Sequence, residues 1–155
     1  MAETTNPAAQ AEQTLNWHLF AAAGVGVLPL PWVNLGVLAA VQLNLLRSLA
    51  EIYGVEFSSQ LGKSAIGALV GSDLSASLAA GLAKSLPGPV WAVGAASGAL
   101  LGAASTYALG KVFIQHFESG NTFLTFDPAK VKAYYAEQYE QGKEAVRKNF
   151  AGFKP

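Results

Sequence analysis

A chain of 155 residues that is 52% apolar and 13% charged fits a single domain but falls far below the roughly 25% charge of ordinary soluble domains. Ten acids balance ten bases, so no net field gathers nucleic acid, and none is expected as a partner. The absence of cysteine excludes disulfides, thiolate metal sites and cysteine nucleophiles.

Charge is also unevenly placed. Between Gln13 and Phe117 the charged side chains are Arg47, Glu51, Glu56, Lys63, Asp73, Lys84 and Lys111, and the residues after Phe117 hold eleven more. The chain therefore reads as a polar leader (1–13), an apolar helical membrane domain (14–120) and a charged tail with one helix (121–155). The leader has neither the basic start and apolar run of a secretory signal nor a lipidation motif, so synthesis in the cytosol and insertion without cleavage are expected.

In chain order, the region from Thr14 to Leu46 is uncharged apart from the titratable His18 and is broken by Leu28-Pro29-Leu30-Pro31-Trp32. This predicts a hairpin. Its first arm runs from about Leu15 to Val27, short for a crossing, and its second from Asn34 as cap to about Tyr53, ended by Gly54. The stretch from Ser58 to Ala83 predicts two shorter helices separated near Gly71-Ser72. Pro87-Gly88-Pro89 then forms a turn, with Pro89 suited to a first helical position. From Ser85 to Gly110 no residue is charged, and the helix after Pro89 is the best transmembrane candidate, with Lys111 and Glu118 marking its exit toward water. Asp127-Pro128 opens a last, amphipathic helix over Ala129–Phe150. The fold class expected is all-α: apolar hairpins in a membrane-embedded bundle with an amphipathic C-terminal helix.

Several patterns are candidates for function. Gly94, Gly98 and Gly102 stand four apart, flanked by Ala95, Ala99 and Ala103, a stripe that permits close helix approach in lipid. Gly67, Gly71, Ser75, Ala79 and Ala83 form a second stripe that is its expected partner face, within one chain or between copies. Trp17, Trp32 and Trp91 lie near predicted helix ends, where indoles suit the headgroup level; the rival reading makes them core residues. Lys143, Arg147 and Lys148 cluster at the end of the last helix, where they complement its dipole and meet a partner or anionic headgroups. Arg47 and Glu51 are expected to pair four apart on a helix surface. Asp73 reads as a helix cap. His18 and His116 have no acidic or histidine neighbours in ligand spacing, so no metal is expected. Gly62-Lys63-Ser64 ends like a phosphate-binding loop, but Phe57 stands where its first glycine is required, and no nucleotide or other cofactor is expected.

Ala21 to Gly24, the Pro29-Leu30-Pro31-Trp32 turn, the Asn34–Gln42 run, Leu49-Ala50-Glu51-Ile52-Tyr53-Gly54, the Leu86-Pro87-Gly88 turn, Ser105 to Gly110 and Phe113 to Gly120 together resemble the bacterial domain of unknown function 697 family. The resemblance covers about residues 14 to 120 and leaves the tail outside. It implies a membrane-associated helical domain, found alone or attached to GTPase domains. This chain carries no GTPase part, so a GTPase partner would be a separate polypeptide. The resulting expectation is a non-enzymatic integral membrane module that self-associates through its small-residue faces and offers its last helix to a cytosolic partner such as a GTPase. Its expected location is the bacterial inner membrane, with the tail's six basic residues favouring a cytoplasmic C-terminus. The rivals are a pore, for which Gln42, Asn44 and Asp73 are the polar residues on offer, and a soluble helical adaptor.

Overall fold

Four of the helices begin on proline, at the position where a missing N–H costs nothing and a fixed φ is already helical. They are α1 (Pro7–Gly26), α2 (Pro31–Tyr53), α4 (Pro89–Glu118) and α5 (Pro128–Phe150), with α3 (Ser59–Val70) and a 3₁₀ turn at Phe123–Thr125 between them. The structure, a computed structural model, describes residues 6–26, 31–71 and 89–150, and no strand occurs among them. Caps complete the helix starts. The Ala8 amide donates to Asn6 Oδ1 at 3.1 Å, Leu61 N–H to Ser58 Oγ at 3.2 Å, and Ala129 N–H to Asp127 Oδ1 at 3.0 Å. Two glycines end helices in the left-handed region: Gly54 (φ 66°) after α2 and Gly120 (φ 82°) after α4. Val55 N–H and Asn121 N–H then reach back to the carbonyls of Ala50 and His116.

The helix boundaries differ from the sequence reading in two places. α1 starts at Pro7, so half of the polar leader is helical, and the first arm reaches 20 residues. α2 starts at Pro31, ahead of Asn34, because proline tolerates the first turn better than it tolerates preceding it. The second short helix expected after Gly71-Ser72, with Asp73, Ser75, Ala79, Ala83 and Lys84, lies outside the described residues.

α4 is the central helix, packed most extensively against α1 and α5 and also against α2 and α3. Leu15, Leu45, Leu46, Leu49, Leu109, Val112 and Phe113 are fully buried where these helices meet. Each such side chain contributes about 1.5–3 kcal/mol of burial. The core closes on an aromatic cluster. Phe113 stacks on Phe126 with ring centroids 4.6 Å apart, meets Phe117 edge-on at 5.5 Å, and Phe57 abuts Phe123 at 5.7 Å.

Among the described residues no helix is long and apolar enough to cross a membrane. The run from Ser85 to Gly110, expected to cross, begins outside the described residues. Enclosure gives another reason for the missing charge: from Gly102 to Phe117 most of α4 is buried by its neighbours.

Candidate functional site: the uncharged end of the bundle

The helices align so that the unevenness of charge along the sequence becomes unevenness between two ends. Glu12 on α1 forms an ion pair with Lys111 on α4, Leu15 packs on Gly110, and the Ala22 carbonyl approaches Gly102, so α1 and α4 are antiparallel. His18 Nε2 lies 2.9 Å from Asn44 Oδ1 and its Nδ1 2.8 Å from the Thr14 carbonyl, which joins α1 to α2 as an antiparallel hairpin. On the other side of α4, Gly142 of α5 sits on Tyr107 and the Ala104 carbonyl, and Val146 joins Ala23 and Ala103 in a small buried cluster. The second halves of α1 and α5 and the first halves of α2 and α4 therefore share one end.

At that end α1, α2 and α4 carry no Asp, Glu, Lys or Arg among their described residues. What they expose is apolar: Trp17 is 71% exposed, Phe20 52% and Val37 37%, with Ala21, Gly24, Gly36, Ala39 and Ala40 also exposed. A contiguous run of such residues on two paired helices is unusual for a surface facing only water. The opposite end holds the Glu12–Lys111 pair, Glu51, Glu56, Lys63, Glu118 and Asp127. There the Tyr53 hydroxyl donates to Glu118 Oε1 at 2.7 Å. Burial first, then that hydrogen bond and the Glu118 and Glu12 charges, push the Tyr53 phenol well above its ordinary range. Burial likewise raises Tyr134, against the pull of Lys111. One exposed apolar residue, Leu124, sits on the 3₁₀ turn at this charged end.

Three polar side chains, Gln42, Ser105 and Thr106, are buried together between α2 and α4. Gln42 is 1% exposed, and its Nε2 donates to Ser105 Oγ at 3.1 Å and Thr106 Oγ1 at 3.2 Å. Both hydroxyls in turn donate to the Gly102 carbonyl, at 3.0 and 2.8 Å. A closed set of this kind ties α2 to α4 and lines no passage. Asn44 is likewise engaged by His18, and Asp73 lies outside the described residues, so the polar lining that a pore would need is not assembled among the residues described.

The residues singled out by sequence are distributed as follows. Gly102 is buried against Ala22 of α1 and Leu38 of α2, whereas Gly67 and Gly71 are exposed with nothing within 4 Å of an added Cβ. Gly102 thus packs on α1 and α2 and not on the Gly67–Gly71 stripe. Gly98 is half-buried. Gly94, Trp32 and Trp91 fall in the first two turns of their helices, and their side chains lie outside the described residues, as does Ser75. Arg47 is not paired with Glu51; its guanidinium lies 5.5 Å above the Phe57 ring, which gives it a planar partner that Glu51 does not. Lys143 is taken up by Glu140 at 3.0 Å and by the Tyr139 ring at 5.3 Å, while Arg147 and Lys148 are exposed. No group of His, Asp and Glu among the described residues is arranged to hold a metal.

The contacts that fix the site's geometry were the hardest to read from sequence. Glu12 and Lys111 are separated by 99 positions and Gln42 and Thr106 by 64, distances at which no periodicity links residues. The exposure of Phe20 and Val37 carries a local signal, the absence of any Asp, Glu, Lys or Arg from Thr14 to Leu46.

Similarity to known proteins adds to this geometry. Magnetosome membrane protein 22 of Magnetospirillum gryphiswaldense is 33% identical over 142 residues, covering 89% of this chain and 73% of that protein. No solved structure matches the chain. The family profile described as Domain of unknown function (DUF697) matches residues 6–144, beyond both limits of the 14–120 stretch marked by sequence motifs, and takes in the start of α1 and most of the last helix. From the first turn of its first helix into the last turns of α5, this chain belongs to the DUF697 family.

Proposed function

We propose that this protein is a non-enzymatic, membrane-associated scaffold that meets the bilayer with the uncharged end of its bundle and turns the charged end to the cytosol of a bacterial cell. The observation that carries this reading is the exposure of Trp17, Phe20 and Val37 on a hairpin end without a charged side chain on α1, α2 or α4. Immersing the exposed faces of α1 and α2 there removes apolar surface from water and strips no ion on those two helices of its hydration. The similarity to a magnetosome membrane protein supports the same location. The scaffold role includes self-association and a GTPase partner in trans. Gly102 is already covered within the chain, whereas Gly67 and Gly71 of the second stripe are open for contact between copies.

The test is fractionation of cells producing the full chain, followed by a carbonate wash of the membranes. The wild-type chain is expected in the membrane fraction, and W17S/F20S is expected to shift the larger part of it to the supernatant. Recovery of wild-type protein in the detergent-free supernatant, with no effect of the double substitution, would overturn the reading.

A further inference from the structure

We infer that Arg147 and Lys148 form a contact site for lipid phosphates that makes docking of the uncharged end selective for anionic membranes. The inference rests on the membrane reading above and adds the lipid class. The antiparallel packing of α5 on α4 carries it. Val146 is buried with Ala23 and Ala103, which brings the next two residues to the end where Phe20, Ala21 and Gly24 are exposed. Both are exposed and have no ion pair among the described residues. Glu144, one turn earlier on α5, pairs with neither.

The helix dipole explains basic residues in a last turn. It does not explain why neither has an ion pair while Lys143, a turn earlier, is neutralised by Glu140; Lys63, Lys130 and Lys132, also without an ion pair among the described residues, stand at the charged end. A surface with an apolar centre and unpaired cations beside it is complementary to acyl chains below anionic headgroups. A basic side chain near an anionic surface raises affinity about fivefold, so the pair is worth roughly thirtyfold.

The full-length protein is to be sedimented with vesicles of phosphatidylcholine alone and of two parts phosphatidylcholine to one part phosphatidylglycerol. Wild type is expected to bind the anionic vesicles tens of times more tightly. R147Q/K148Q is expected to lose that preference and keep its binding to the neutral vesicles. K130Q/K132Q, an equal charge change at the opposite end of α5, is expected to keep the preference. Equal binding of both vesicles by wild type, or a preference that survives in R147Q/K148Q, would overturn the inference while leaving the membrane reading intact. Absence of binding to either vesicle would overturn both. Thermal melting of each variant guards against a folding defect.

Discussion

Gln42 is a buried amide, and its hydrogen-bond partners decide what its removal costs. The Ser105 and Thr106 hydroxyls keep the Gly102 carbonyl as acceptor whether or not Gln42 is present. Gln42→Leu therefore leaves no donor stranded and is expected to cost only about 1 kcal/mol. S105A/T106V removes both acceptors and leaves a buried amide N–H without a partner, at about 1–3 kcal/mol; adding Gln42→Leu to it is expected to recover part of the loss. Denaturant midpoints of the three variants test this order. Sequence reading could mark Gln42 as a polar residue in an apolar run, but its hydroxyl partners lie on another helix. Tyr53 allows a second prediction. The folded state holds the phenol proton more tightly than the unfolded chain, so above about pH 10 the unfolded chain releases it first and stability falls as pH rises. Tyr53→Phe, which has no such proton, is expected to show a shallower decline in melting temperature across the alkaline range.

For whole helices, glycine has opposite consequences at two positions. A Cβ on Gly142 would stand 2.9 Å from Tyr107 Cδ1 and 3.1 Å from the Ala104 carbonyl oxygen, where α5 packs against α4. Gly142→Leu is expected to push the two helices apart and destabilise by about 1–3 kcal/mol. Gly67 is exposed on α3 with open space around it, so Gly67→Ala is expected to stabilise by up to about 1 kcal/mol through helix propensity alone. Chemical denaturation of both variants checks the contrast. The helices themselves were largely legible, since the prolines, caps and terminal glycines that bound them act locally. Their pairing was not. The Gly94–Gly98–Gly102 stripe is visible as a spacing, but whether Gly102 meets Ala22 or Gly67 depends on loop paths that no spacing encodes. Residues 7–13 are polar and still helical, because Asn6-Pro7 supplies a cap and a first turn.

Taken over the molecule, the same sequence feature supports two different outcomes. A long uncharged run suits a helix surrounded by lipid and equally a helix surrounded by other helices, and α4 between Gly102 and Gly110 is the second case. What the sequence did carry is the partition of charge, because in an antiparallel bundle two arms whose charges stand away from their joint must leave that joint at one extremity. The length of α4 gives that partition a further meaning. Its 30 residues span about 45 Å, several times the roughly 8 Å over which physiological salt extinguishes an electric potential. Whatever occupies one pole is electrically hidden from whatever occupies the other, so a visitor at the Tyr53–Glu118 pole would register no difference between an acidic and a neutral substrate beneath the far one.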